Sequence, residues 1–139
     1  MSTLDIIENK ISYIIKHLAL AEGYKNYDLE KLRNDTTLQS ALERELYIIA
    51  QAVVDLAEAT VSFKNLRKPS TMRDAFYILG ETDILPKDFI EKFINIVGFR
   101  NALAHDYEDL KIEVIYDVLQ NKLPQVQEFI DYIKKSVEI

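Results

Sequence analysis

The amino-acid sequence predicts an all-α protein, a helical bundle formed by a single domain over residues 1–139. Three observations lead to this prediction. The chain has only three glycines and three prolines, which leaves little material for turns. Apolar residues recur every three or four positions over long stretches, as they do on one face of a helix. No stretch alternates polar and apolar residues for long enough to form a sheet.

The composition excludes several classes of protein. Hydrophobic residues make up 48% of the chain and charged residues 29%, which is typical of a packed domain and excludes a disordered chain. Cysteine is absent and there are only two histidines, of which His17 is interpreted as an ordinary surface or boundary residue. We therefore expect no metal site and no cofactor. Because no apolar run approaches the ~18 residues of a membrane helix and the N-terminus does not resemble a signal peptide, we expect a cytoplasmic protein with no membrane partner.

Two long helices are predicted in the first half of the chain. The first ends near Gly23, and residues 24–35 form a connection with room for one short helix. The second covers residues 38–63 and carries apolar residues on two faces, which suggests a central helix or one that also serves an oligomer interface. The two stripes consist of Leu4, Ile7, Ile11, Ile14, Leu18 and Ala21, and of Leu38, Leu42, Leu46, Ile49, Val53, Leu56, Thr60 and Phe63.

Capping and breaking residues divide the second half of the chain. Ser70 or Thr71 caps a short helix that Gly80 stops. Pro86 suits the first position of the next helix, which we expect to run through Arg100.

A final helix is predicted from about Lys111 to the C-terminal end of the sequence. Pro124 falls inside this segment and removes one backbone hydrogen-bond donor. We therefore expect a kink or a break near residues 120–123.

The distribution of charge leaves two interpretations of one basic segment open. The net charge of −6 argues against non-specific binding of nucleic acid through bulk charge. Residues 61–73 nevertheless carry four basic residues and no acidic one. This run is either a solvated loop or a local patch that contacts RNA or a partner protein. The four residues are Lys64, Arg67, Lys68 and Arg73.

The only dense polar cluster occupies residues 98–107. Arg100 lies four residues after Ile96 and seven after Phe93, so it projects from an apolar face and needs an anion or a carboxylate as partner. In a continuous helix Arg100 and His105 would lie about 140° apart, because five residues at about 100° each make about 500°. The two side chains could not then share a small site on one helix.

The cluster has two explanations at this point. Either the helix unwinds around Ala104–His105, or a second copy of the chain completes the site. Chemically, arginine provides a planar fork for phosphate oxygens, and histidine titrates near neutrality as a general base or acid. A structural arginine–aspartate pair beside a capping histidine would account for the same residues without any catalysis.

A family resemblance bears on this choice. Arg100-Asn101 followed by His105-Asp106-Tyr107 resembles the R-x4-H-x-Y signature of the HepT-like toxins, a family within the HEPN superfamily of all-helical ribonucleases. The resemblance covers most of the chain. An N-terminal helix, a long helix with ERELYIIAQAVVDLAEA, a short helix, the segment LPKDFIEKFINIVGFRNALAHDYEDL and a final helix with the NKLPQV break follow the family order.

The resemblance implies a fold, an activity and roles for four residues. The fold would be an antiparallel helical bundle that forms a homodimer with its active site at the dimer cleft. The activity would be metal-independent cleavage of RNA by a toxin of the HepT/MntA type, with Arg100 and His105 as catalytic residues and Asn101 as supporting polar residue. A minimal nucleotidyltransferase antitoxin would silence the toxin by transferring AMP to Tyr107.

A second function from a different class stays open. The chain would then be a non-catalytic companion subunit of a minimal nucleotidyltransferase, in which Arg100 and His105 hold a nucleotide or the partner. Cleavage of RNA in the presence of EDTA distinguishes the two functions.

Overall fold

In the computed structural model, the structure is described for residues 3–105 and 110–139. Within these residues no strand occurs, and the predicted all-α fold is confirmed. A 3₁₀ turn at Gly23–Asn26 follows the first helix, and a π-helical turn at Val118–Lys122 joins the last two. The α-helices are α1 (Thr3–Glu22), α2 (Leu29–Asn34), α3 (Thr36–Phe63), α4 (Met72–Glu81), α5 (Lys87–Phe93), α6 (Asn95–His105), α7 (Ile112–Asp117) and α8 (Leu123–Ser136).

The long helix α3 is the centre of the fold, as its two apolar faces predict. It packs against α1, α2, α4 and α6. The pairing with α1 is antiparallel, because Lys10 of α1 lies near Glu58 while His17, further along α1, bonds to Glu45. Every other helix that carries a candidate functional residue is therefore positioned by contact with α3 or with its neighbours.

The length and composition of α3 also satisfy the criteria for a membrane-spanning helix. An 18-residue window has a mean hydropathy of 1.4, so the expectation that no apolar run approaches membrane-helix length is wrong. However, 56% of that window is buried within the protein. The apolar residues of α3 thus form the core of the bundle, as in other buried central helices.

A cluster of aromatic rings joins α4, α5 and α8. The ring of Phe93 lies 6.0 Å from Phe76, 5.2 Å from Phe129 and 4.8 Å from Phe89, measured between centroids. All four side chains are almost completely buried. Because α6 begins two residues after α5 ends, this cluster also fixes where α6 starts.

Three helices begin with side-chain caps. The carboxylate of Asp28 accepts a hydrogen bond from the amide of Lys31, and that of Asp35 accepts one from Leu38. The Leu38 bond is the first reason why the pKa of Asp35 lies below its ordinary value. Thr71 caps α4 in the same way, so it is the cap among the two predicted candidates.

The helix boundaries differ from the sequence expectation at two places. The helix expected from Pro86 through Arg100 is divided, because Ile94 forms a turn between α5 and α6. Gly80 does not stop α4 either, since the helix continues to Glu81 and the φ of Gly80 is not positive. Packing instead favours glycine at position 80, because a Cβ there would lie 2.5 Å from Cδ1 of Ile90.

The predicted disturbance before Pro124 is a π-helical turn. Pro124 has no amide hydrogen, and its ring would clash with the carbonyl of residue 120 in a regular α-helix. The chain accommodates this by widening at Val118–Lys122, after which α8 begins at Leu123. The distortion at Val118–Lys122 thus overlaps the expected residues 120–123, and the chain stays helical through it.

Replacing two glycines should have opposite effects on stability. Gly80→Ala should lower the free energy of unfolding by about 1 kcal/mol, because overpacking against Ile90 costs about 1–3 kcal/mol and exceeds the gain in helix propensity. Gly23→Ala should raise it by about 0.5 kcal/mol, because no atom lies within 4 Å of the added methyl group. Urea denaturation followed by circular dichroism measures both changes, and a Gly80→Ala variant as stable as wild type would contradict the packing argument.

Candidate active site

Residues 98–105 of the polar cluster lie on α6, which is helical through His105. The structure thus contradicts unwinding before His105, and Arg100 and His105 leave the helix about 140° apart. Completion of the site by a second copy of the chain stays a prediction. Asp106 and Tyr107 lie outside the described residues.

The Arg100 side chain is held between α6 and α3. Its Nε donates a hydrogen bond to Oε1 of Gln51 at 2.6 Å, and its Nη1 donates one to Oδ1 of Asn101 at 3.0 Å. The guanidinium carbon lies 5.7 Å from the centroid of the Tyr47 ring, within cation–π range. Arg100 and its three partners are half-buried. Asn101 thus supports Arg100 by a direct contact.

An anion or a carboxylate is expected beside an arginine on an apolar face, and no described residue provides a carboxylate that bonds to Arg100. Among the residues that the structure describes, its partners are two amide oxygens and an aromatic ring. None of these partners carries a negative charge that could pair with the half-buried guanidinium. An arrangement of this kind favours binding of an anion such as a phosphate group. No aspartate in the described residues forms the structural arginine–aspartate pair.

The two histidines have different environments. His105 is exposed in the last described turn of α6. His17 is buried, in contrast to the surface or boundary position expected for it, and its Nδ1 lies 2.6 Å from Oε2 of Glu45. The ring of Tyr13 packs against His17 at 4.6 Å between centroids. His17 thus joins α1 to α3, and of the two histidines only His105 is accessible to a substrate.

The four basic residues of the 61–73 segment do not act as one group. Arg67 bonds to Asp74 at 3.0 and 3.1 Å and to Glu81 at 2.7 and 3.2 Å. The hydrogen bonds that Arg67 donates to Glu81 and to Asp74, in that order of effect, raise the pKa of Arg67, and the same bonds lower the pKa of both carboxyl groups. Lys64 bonds to the carbonyl oxygen of Ser136. These two residues are therefore engaged within the chain.

The other two members of the segment, Lys68 and Arg73, are exposed. One terminal nitrogen of Arg73 lies 3.4 Å from where a Cβ on Gly98 would be, so Arg73 lies beside α6. A role of the basic residues in binding RNA or a partner stays a prediction.

Two cavities flank the elements that carry Arg100. A groove of about 500 Å³ between α1 and α3 is lined by residues that include Lys10, Tyr13, Tyr47, Gln51 and Asp55. Tyr47 and Gln51 also contact Arg100, so this groove adjoins the candidate site. A second cavity of about 390 Å³ has a mostly apolar lining contributed by α3, α6, α7 and α8.

Sequence reasoning missed Tyr47 and Gln51. They lie on α3, and Gln51 is separated from Arg100 by 49 positions in the chain. The spacing of Tyr47, Gln51 and Asp55 places them on one face of α3, which was a detectable signal. The spacing does not show, however, that this face of α3 contacts α6.

Comparisons with known proteins agree with the geometry. Residues 14–133 match the family model described as ribonuclease HepT-like. The mRNA nuclease HepT of Shewanella oneidensis is 31% identical over 133 residues, which cover 94% of this chain and 97% of that protein. The tRNA nuclease HepT of Aphanizomenon flos-aquae is 28% identical over 120 residues, which cover 86% of this chain and 82% of that protein.

A solved structure shows the same fold. It is that of the AMPylated Shewanella oneidensis HEPN toxin in complex with its MNT antitoxin, which is 29% identical and superimposes with a TM-score of 0.85. The alignment covers 97% of this chain and 99% of the toxin. With the family model matched over most of its length, this chain belongs to the ribonuclease HepT-like family and has the helical fold of the HEPN toxins.

Proposed function

We propose that this protein is a metal-independent endoribonuclease toxin whose catalytic residues are Arg100 and His105. The observation that carries the proposal is the environment of Arg100, whose hydrogen-bond partners among the described residues are the neutral amides of Gln51 and Asn101. The nuclease activity in the names of the two HepT relatives supports an RNA substrate. Since the substrate is RNA and the silencing partner uses a nucleotide, we place the protein in the cytoplasm.

The chemistry requires only groups that the substrate and the two residues supply. The 2′-hydroxyl of RNA attacks the adjacent phosphorus, so neither a metal-bound water nor an enzyme nucleophile is needed. Arg100 stabilises the additional negative charge of the phosphorane-like transition state. His105 removes the proton from the attacking hydroxyl or returns one to the leaving oxygen.

A two-fold homodimer completes the site in this proposal. One histidine cannot act as base and acid at the same moment, and Arg100 and His105 leave α6 on different sides. A two-fold axis beside α6 would place two copies of the motif around one cleft. Each copy then contributes an anchored arginine and an exposed histidine.

Arg100→Ala and His105→Ala should each reduce RNA cleavage at least ~100-fold, because they remove transition-state stabilisation and proton transfer respectively. Both variants should keep the circular dichroism spectrum of the wild type. The measurement is cleavage of total RNA in EDTA, with analysis of the product ends, which should be 2′,3′-cyclic or 3′-phosphates.

A matched arginine provides the control for this experiment. Arg33 is exposed and pairs with Glu113, away from α6, so Arg33→Ala should cleave as wild type does. Products with 3′-hydroxyl ends, or a strict requirement for magnesium, would contradict the mechanism. A wild-type protein that binds the nucleotidyltransferase but never cleaves RNA would instead identify the non-catalytic companion subunit.

The protein should form a dimer at micromolar concentration. The physical reason is that a single α6 cannot direct Arg100 and His105 to one phosphate. Light scattering coupled to size-exclusion chromatography measures the mass. A monomer with undiminished cleavage activity would rule out the shared cleft.

The proposed partner is a minimal nucleotidyltransferase that attaches AMP to Tyr107. Its support is the solved relative, an AMPylated toxin in complex with an antitoxin. An AMP group at Tyr107 would add a phosphodiester charge seven positions along the chain from Arg100. Pairing of this charge with the guanidinium would occupy the group that binds the scissile phosphate. Lys68 and Arg73, both exposed, are the members of the basic segment best placed to contact RNA or this partner.

Tyr107→Phe should cleave RNA but resist silencing, because the phenol oxygen that accepts AMP is absent. The test incubates the protein with the partner and ATP, followed by mass spectrometry and an RNA cleavage assay. Tyr77 is exposed on α4, so Tyr77→Phe is the matched control and should be modified and silenced like wild type. AMP found on another tyrosine, or a fully silenced Tyr107→Phe variant, would disprove the assignment.

A further inference from the structure

A chain of hydrogen bonds on α3 ends on Arg100 and has no role in the scheme above. Nε of Arg100 donates to Oε1 of Gln51 at 2.6 Å, and Nε2 of Gln51 donates to Oδ1 of Asp55 at 2.9 Å. All three residues are half-buried. Asp55 is thus connected to the guanidinium through one neutral amide, without touching it.

The chemistry of the groups fixes the orientation of the Gln51 amide. If the amide were reversed, its NH₂ group would face the N–H of Arg100, and its oxygen would face the carboxylate of Asp55. Both contacts would then be repulsive, since an arginine only donates and an ionised carboxylate only accepts. Asp55 therefore holds the Gln51 amide with its oxygen towards Arg100.

We propose that Gln51 and Asp55 are positioning residues for Arg100, which present its guanidinium to the substrate phosphate without neutralising it. A carboxylate in the place of Gln51 would pair directly with the guanidinium and compete with the phosphate. The amide holds the Nε edge and leaves the charge available, while Asp55 provides a compensating negative charge one residue further away. This inference rests on the proposed function of Arg100.

No other charged residue described in this region takes the place of Asp55 in the hydrogen-bond chain to Arg100. Lys10 of α1 lines the same groove, and its charge lowers the pKa of Glu58. The pKa of Glu58 is nevertheless raised, first by burial and then by the negative charge of Asp55, because these two effects outweigh that of Lys10. Among the described residues, only Gln51 and Asp55 link α3 to the Nε edge of Arg100.

The chain contains a matched pair that lacks the arginine. On α8, Nε2 of Gln127 donates to Oδ1 of Asp131 at 3.0 Å, with the same four-residue spacing. Both residues are exposed. Any contribution of such a pair to helix stability is therefore present in α8 as well, separate from an effect on Arg100.

The experiment compares Gln51→Glu with Gln127→Glu by measuring kcat/KM on an RNA oligonucleotide between pH 5 and pH 8. Binding of the non-cleavable 2′-deoxy oligonucleotide and thermal unfolding are measured alongside. At neutral pH, Gln51→Glu should lower kcat/KM by about 10- to 100-fold, because the new carboxylate pairs with Arg100. Binding of the 2′-deoxy oligonucleotide should weaken as well, whereas Gln127→Glu should match wild type.

The pH dependence separates positioning from a structural role. A protonated carboxyl group can accept from Arg100 and donate to Asp55, as the amide does. The activity of Gln51→Glu relative to wild type should therefore recover as the pH falls. Gln51→Met, which cannot accept a hydrogen bond and adds no charge, should lose activity by an amount that does not depend on pH.

The possible outcomes distinguish this inference from the proposed function. If wild type cleaves RNA and Arg100→Ala does not, but Gln51→Glu equals Gln127→Glu, the positioning role is disproved and the proposed function stands. A loss in Gln51→Glu that follows only its unfolding temperature, with no recovery at low pH, also disproves it. If wild type itself does not cleave, the proposed function fails.

Discussion

The charge of Arg100, half-buried between α6 and α3 with no carboxylate partner among the described residues, is the constraint on which the candidate site depends. Partial burial of a guanidinium costs free energy that its two amide oxygens and one aromatic ring only partly offset. A chain with a net charge of −6 has ample carboxylates to pair with it. Elsewhere they do so, since Arg67 is bonded to both Asp74 and Glu81. The contrast supports the proposal that Arg100 binds the substrate phosphate.

The central helix α3 couples this site to the rest of the fold. On one face of α3, Glu45 bonds to His17 of α1, and on another face Gln51 bonds to Arg100 of α6. A side chain held by a long buried helix has little freedom to move, so the direction of the guanidinium is set before any substrate binds. Such preorganisation is what transition-state stabilisation by a fixed charge requires. Stability of the bundle and geometry of the site therefore depend on the same element.

The fold followed from local patterns, whereas the site followed from them only in part. Two apolar faces predicted the central position of α3, and Thr71 and Pro124 marked a helix start and a distortion where the structure has them. The turn at Ile94 had no such signal in the sequence. Arg100 and His105 could be identified because they lie in one dense polar segment whose spacing resembles a family signature. Gln51 could not, because its contact with Arg100 arises only when α3 and α6 pack together.

The two histidines show why spacing within one helix does not reveal contacts between helices, and they also bear on the proposed dimer. Both lie on helices among apolar residues, yet His17 is buried against Glu45 while His105 is exposed. The difference comes from the neighbouring helix, since α1 packs along α3 over most of its length. With His17 used in packing, each chain has one histidine for proton transfer. If histidines act as both acid and base, the second one must come from another copy of the chain, as in the proposed dimer with its two-fold axis.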